Sequence, residues 1–244
     1  MSKTIIFLDF DGVLCDSVKE AYILSRFAYC GYDVHKAIEK DKYLLFCKYR
    51  YLISNSWQYC YLMQAIEEDA IDGSVNVEKR FLKLISSKIE DLHNSFNKKF
   101  LNERKFLIDN EFKFWNSLET PTSFLVSLSR FMKNTAKLTF AILSTKNKEA
   151  IVEKLKIWDI EFDTEYIFDK QNLTDISKGD FIGNYLNDNS CFEKAFLIDD
   201  NEENIQSCFN VPNVTPLLTD WGYNKNSVDS LSEETIINII KEIL

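Results

Sequence analysis

Short apolar runs alternate with amphipathic stretches along most of this chain, and one long segment breaks the alternation. Residues 4–8 are apolar and β-branched at their start, and they stop at Asp9-Phe10-Asp11-Gly12. That pattern predicts a buried strand running into a tight polar loop. Ser17 and Glu20 have capping-box spacing and predict a helix with Ala21, Leu24 and Ala28 on one face. From there to about Leu118 apolar residues recur at helical spacing, as in Phe81, Leu84, Ile85, Leu92 and Phe96, and no strand-like alternation is sustained. The clearest turn in this stretch is Asp72-Gly73-Ser74.

After Thr120-Pro121 the texture changes. The pattern predicts helices over 122–132 and 148–158 and after Ser177, with strands over 138–143, 166–168 and 195–198 between them. A helix carrying Ile205, Cys208 and Phe209 follows, then a strand over 214–218. A last helix is expected from a capping box at Ser230 and Glu233, with Ile236, Ile237, Ile240, Ile243 and Leu244 as its stripe. Short buried strands alternating with helices imply parallel pairing through crossovers, hence an α/β doubly wound parallel sheet. The helical segment is then an insertion. The expected division is an α/β core of residues 1–16 plus 119–244 and an all-helical cap of residues 17–118.

Composition narrows the function classes. An apolar share of 45% supports a sizeable core, and 6 Gly and 3 Pro do not suit a linker-like or turn-dense chain. There are 29 basic and 38 acidic side chains, a net charge of −9. That balance removes the broad basic footprint of a nucleic-acid or anionic-membrane binder and still permits a small anion held by a few local cations. Cys15, Cys30, Cys47, Cys60, Cys191 and Cys208 form no CxxC pair and no metal spacing with His35 or His93, so buried, reduced thiols are expected. No signal-peptide pattern and no membrane-length apolar run is present, which predicts a cytoplasmic protein.

The chemistry gathers where strands are expected to end. In an open parallel sheet, function collects at the carboxyl ends of strands. Here those ends carry Asp9-Phe10-Asp11, Ser144-Thr145-Lys146, the region of Lys178, and Asp199-Asp200. Carboxylates converging on one crevice repel unless a cation shares them, and an all-oxygen donor set without His or Cys suits Mg²⁺. Mg²⁺ with a nearby Lys and a hydroxyl suits a phosphate group.

These residues also carry a resemblance. The run from Ile5 to Ser17 resembles the first motif of the haloacid dehalogenase (HAD) superfamily, hhhhDxDG[T/V]hxDS. Ala141-Ile142-Leu143-Ser144 is similar to the second motif, Lys178 to the third, and Phe196-Leu197-Ile198-Asp199-Asp200 to the fourth. Trp221-Gly222-Tyr223 is similar to a tripeptide at that place in phosphoglycolate-phosphatase-like members. The resemblance implies a HAD core with a C1-type helical cap and Mg²⁺-dependent phosphatase activity on a small phosphorylated metabolite. It implies Asp9 as nucleophile and Asp11 as general acid and base. Ser144 and Lys178 would act on the phosphoryl group, helped by the Thr145 backbone. Asp9, the Asp11 carbonyl, Asp200 and, as a further ligand or supporting acid, Asp199 would hold Mg²⁺.

There are departures and open alternatives. The fourth motif often reads GDxxxD, whereas here Asp199 stands for the Gly and Asn204 for the last Asp. Lys146 either touches substrate or begins a surface helix. In the cap, Lys48 and Arg50 could reach a second anionic or hydroxyl group of the ligand, with Arg50 the candidate substrate contact, although a solvated helix face is the commoner role for either cation. The cap aromatics, including Tyr43, Phe46, Trp57, Tyr59 and Tyr61, are read as core. A phosphoglucomutase-like transferase and a non-catalytic binding protein on the same scaffold remain alternatives at this point.

Overall fold

A computed structural model describes residues 3–72, 76–87, 90–132, 138–225 and 229–243. The expected turn at Asp72-Gly73-Ser74, but for the backbone of Asp72, and Leu244 of the last stripe lie outside them. The chain forms two compact units, Met1–Asp16 with Thr120–Leu244, and Ser17–Glu119.

The first unit is built on five parallel strands: β1 (Lys3–Leu8), β4 (Leu138–Leu143), β5 (Ile167–Phe168), β6 (Phe192–Asp199) and β7 (Val214–Leu218). Their order is β5-β4-β1-β6-β7. β1 lies at the centre because its apolar run can be buried on both faces. Its register pairs Leu8 with Ile142 on one side and with Ile198 on the other. The edge strand β7 tolerates Pro216, opposite Leu197, since an outer strand need not donate at every position.

Side-chain alternation divides the core into two layers. Ile6, Leu8, Ile142 and Ile198 pack with α7 (Ser123–Met132), α8 (Lys148–Ile157) and α11 (Glu233–Ile243). Ile5, Phe7, Leu143 and Leu197 pack on the other face with Ile182 of α9 (Lys178–Asp188) and with Cys208 just after α10 (Glu202–Ser207). Helices therefore cover both faces, as the doubly wound expectation requires.

A second, two-stranded sheet pairs β2 (Cys15–Asp16) antiparallel with β3 (Thr120–Pro121). The chain thus leaves the α/β unit and returns to it through one short ribbon, which the hydrophobic pattern does not announce.

The second unit holds α1 (Val18–Cys30), α2 (Lys40–Tyr49), α3 (Tyr59–Asp72), α4 (Val77–Ser86), α5 (Glu90–Asn110) and α6 (Phe112–Asn116). Phe46, Tyr59, Phe100 and Phe96 stack in succession, with centroids 5.5, 5.8 and 6.0 Å apart. Phe46, Tyr59 and Tyr61 are core here, as their helical spacing predicts, whereas Tyr43 and Trp57 are half-buried. His93 stacks on Trp57 and hydrogen-bonds the Tyr61 hydroxyl at 2.5 Å. His35 lies against Phe114 and pairs with Glu111.

Three expectations need correction. The capping box at Ser17 and Glu20 does not form, and Ser17 makes no side-chain cap to α1. Glu20 is instead fully buried, accepting hydrogen bonds from Arg104 Nε and Nη2 at 2.8 and 2.6 Å and from Trp115 Nε1 at 2.9 Å. The last helix begins at Glu233, two residues after the expected Ser cap has passed: the Thr235 N–H donates to Ser232 Oγ, while Leu231 bridges Thr219. The Glu233 carboxylate accepts from the Ser123 and Ser127 hydroxyls. Finally, the cysteines are thiols as expected, but Cys30 and Cys191 are exposed and Cys47 is half-buried rather than buried. Among the described residues no helix is long and apolar enough to cross a membrane.

Candidate active site

The strand order reverses on either side of β1, so the crevice beyond β1, β4 and β6 is where ligands bind in open α/β sheets. Asp9 follows β1 directly, Ser144 follows β4, Asp199 ends β6 and Asp200 follows it. The Asp9 N–H donates to the Ile198 carbonyl at 2.9 Å, continuing the β1–β6 ladder into the loop. That loop then curls back: the Phe10 carbonyl accepts from the Leu14 and Cys15 amides, and the Gly12 N–H donates to the Cys15 carbonyl. Asp11 sits on this curl, with a side chain 24% exposed.

Lys178 ties the acids together. Ser177 caps α9 in a capping box with Asp180, which fixes Lys178 in the first turn. Its buried ammonium donates to Asp9 Oδ1 and to Asp199 Oδ2, both at 2.7 Å. Burial opposes the lysine's charge, but the Asp199 and Asp9 carboxylates outweigh it and hold the ammonium above its ordinary range. Burial pushes the Asp9 carboxyl from 3.8 up to about 6; Lys178 pulls it back and Asp199 adds to the rise. Lys170, the other lysine in this stretch of sequence, is exposed.

Asp199 and Asp200 differ sharply. Asp199 is fully buried, and it accepts from Lys178, from the Asn201 N–H at 2.8 Å and from the Asn204 amide at 3.1 Å on both oxygens. The two departures from GDxxxD therefore match each other: the added carboxylate at 199 meets a donor, not a second acid, at 204. Asp200 accepts from the Tyr223 N–H and lies between two glycines. A Cβ on Gly12, at φ +100°, would fall 2.1 Å from Asp200 Oδ2. One on Gly222, at φ +91°, would fall 2.6 Å from it. Both glycines are thus required by backbone conformation and by close approach.

Oxygens of Asp9, Asp199 and Asp200 lie within 4.8 Å of one another, and all three residues are buried. Three buried carboxylates this close repel one another, and beside the one ammonium shared by Asp9 and Asp199 a divalent cation would offset that repulsion. With only oxygen donors, these residues fit Mg²⁺.

Ser144 is buried, and its hydroxyl accepts from the Lys146 N–H at 3.3 Å, while Thr145 is exposed. Lys146 is no surface residue at the start of a helix. Its side chain is 1% exposed and its ammonium lies 3.0 Å from Asp11 Oδ1. Arg50 belongs to the helical unit, where it donates to the Ile53 carbonyl at 3.0 Å and lies over the Tyr59 ring. Sequence reasoning missed Asn204 and the Tyr223 amide as supports for the two acids. The Asn at a motif position expected to be acidic, and the Trp-Gly-Tyr, are the signals that point to them. A separate 370 Å³ cavity, lined by Val152, Ile160, Phe162 and Ile167 among others, contains none of these groups.

No protein-family model and no curated protein matches the sequence. Solved structures do match in fold. A haloacid dehalogenase-like hydrolase from Streptococcus pneumoniae superposes with a TM-score of 0.60 at 12% identity, covering 98% of each chain. A protein from Haemophilus somnus, described as a predicted phosphoglycolate phosphatase, gives 0.62 at 13% identity over 100% of this chain and 99% of its own. A HAD-superfamily hydrolase of subfamily IA from Geobacter sulfurreducens gives 0.54 at 10% identity, covering 100% of this chain and 97% of that one. Over its whole length the chain has the fold of HAD hydrolases, with the helical insertion following the first strand.

Proposed function

We propose that this HAD-fold chain is a Mg²⁺-dependent phosphatase acting on small phosphate monoesters. The observation that carries the reading is the buried cluster in which Lys178 bridges Asp9 and Asp199 while Asp200 completes a group of three carboxylates. A scaffold without chemistry would have no reason to bury that much like charge.

Asp9 is the nucleophile. Its carboxylate bonds to phosphorus while the ester bond to the leaving oxygen breaks, giving an aspartyl-phosphate. Asp11 gives its proton to the leaving oxygen and then takes one from the water that attacks phosphorus, releasing phosphate and regenerating Asp9. Lys178 orients Asp9 and offsets charge on the transferring group, and the Ser144 hydroxyl and Thr145 amide orient that group. Asp9, the Asp11 carbonyl and Asp200 would hold Mg²⁺, which when bound supplies charge stabilisation to the phosphoryl oxygens. Asp199, which accepts from Lys178, the Asn201 N–H and the Asn204 amide, positions Lys178 and offers a further oxygen to the metal group. The helical unit would act as a cap that limits access to small esters, with Arg50 a candidate contact on it.

Two outcomes test this. Phosphate release from para-nitrophenyl phosphate is expected with Mg²⁺ and is expected to vanish with EDTA. Turnover that is unchanged by chelation would overturn the metal assignment. Gly222→Ala should raise the Mg²⁺ concentration for half-maximal activity by roughly tenfold or more, because the new methyl displaces the Asp200 carboxylate. An unchanged Mg²⁺ requirement in a folded variant would remove Asp200 from the metal site.

A further inference from the structure

The phosphatase reading leaves the buried Lys146 without a task, and its placement supplies one. The side chain is nearly inaccessible, its ammonium lies 5.3 Å above the Phe10 ring, and it donates to Asp11 Oδ1 at 3.0 Å. Its backbone is anchored too, since its N–H donates to Ser144 Oγ just past β4. A buried ammonium is costly unless it donates to an acceptor, and Asp11 Oδ1 is one that it uses. Asp11, by contrast, stands on a curl of loop and is partly exposed. A proton donor so placed needs an external restraint to keep its oxygens aimed at the leaving group.

We propose that Lys146 is the positioning residue for Asp11, and that it matters in proportion to how badly the leaving group needs a proton. The inference rests on the proposed phosphatase reaction. In its first half, the bond between phosphorus and the ester oxygen breaks as the Asp9 oxygen bonds to phosphorus. The proton passes from the Asp11 carboxyl to the departing oxygen. A nitrophenolate leaves almost unaided, whereas a more basic phenolate relies on that proton. A lysine that only bound the substrate phosphate would serve both esters equally.

The test is the slope of log kcat/KM against leaving-group pKa, measured with saturating Mg²⁺. The probes are para-nitrophenyl, phenyl and para-methoxyphenyl phosphates. Lys146→Met should lose about threefold on the nitrophenyl ester and roughly 30-fold or more on the other two, steepening the slope. In an Asp11→Asn background the same substitution should add no further steepening. Lys146→Gln, which keeps a donor without the charge, should steepen the slope less, and it carries the test if the Met variant does not fold. A parallel loss across the series would overturn the proposal and assign Lys146 to substrate binding. An unchanged series, or extra steepening without Asp11, would overturn it as well. A wild-type enzyme inactive on all three esters would count against the phosphatase reading itself, and the role of Lys146 would fall with it.

Discussion

Asp9→Asn is expected to abolish turnover of para-nitrophenyl phosphate, with kcat falling by about 10⁴-fold or more, the scale on which removal of a covalent nucleophile acts. The amide is close in size to the carboxyl but cannot form the phosphoryl ester. Residual turnover within tenfold of wild type would sink the aspartyl-phosphate route. The same variant tests the electrostatics independently of activity. Burial raises the Asp9 carboxyl from 3.8 to about 6, so its ionisation opposes folding. That penalty is absent below about pH 4, grows as pH rises through the interval and is complete above about pH 6. In buffer with EDTA, the melting temperature of Asp9→Asn relative to wild type should therefore rise between pH 4 and pH 7. A gap that stays constant or shrinks would contradict the raised value.

Glu20→Ala should be the most damaging single change to stability in the helical unit. Glu20 is fully buried and takes three hydrogen bonds, two from Arg104 and one from Trp115, both far along the chain. Removing the carboxylate takes this acid from the guanidinium, itself only 15% exposed, and an acceptor from the buried Trp115 indole N–H. Breaking a buried pair in this way costs about 3–5 kcal/mol, more than the methylene loss alone. Glu20→Gln, which keeps an acceptor for Trp115, should lose less. Urea unfolding of the two variants checks the order. Equal stabilities for wild type and Glu20→Ala would mean that the pair is not what holds α1 to α5 and α6.

The same residue shows where sequence reading stops. Ser17 and Glu20 have the spacing of a local cap, but Glu20 is claimed by partners in α5 and α6, and local spacing holds no record of them. The central strands are legible because 4–8, 138–143 and 195–198 are nearly continuous apolar runs, and β7 matches its expected span of 214–218, whereas β6 begins three residues early because Glu193 and Lys194 interrupt its apolar pattern. The ribbon of β2 and β3 is not legible, since two residues carry no periodicity and their pairing spans the whole insertion. In the site, the strand-end acids stand out because charges rarely follow such runs. The division of labour between Asp199 and Asp200 does not, because it depends on Asn204, Lys178 and the glycines around Asp200. Lys146 reads equally as a substrate contact or as the start of a surface helix until the crossover brings it to Asp11, since sequence neighbours cannot reveal a partner in the loop after another strand.

The ribbon has a further consequence. With Cys15–Asp16 held against Thr120–Pro121, the two ends of the insertion are fixed side by side by the α/β unit itself. The entropy of closing such a loop grows only logarithmically, so doubling the enclosed length adds about 0.6 kcal/mol. The span between the ribbon strands is therefore a position where material can be lengthened, shortened or exchanged at little cost to the sheet. Within this chain that span has the freest thermodynamic licence to change, and the strand ends that carry Asp9, Ser144 and Asp199 have the least.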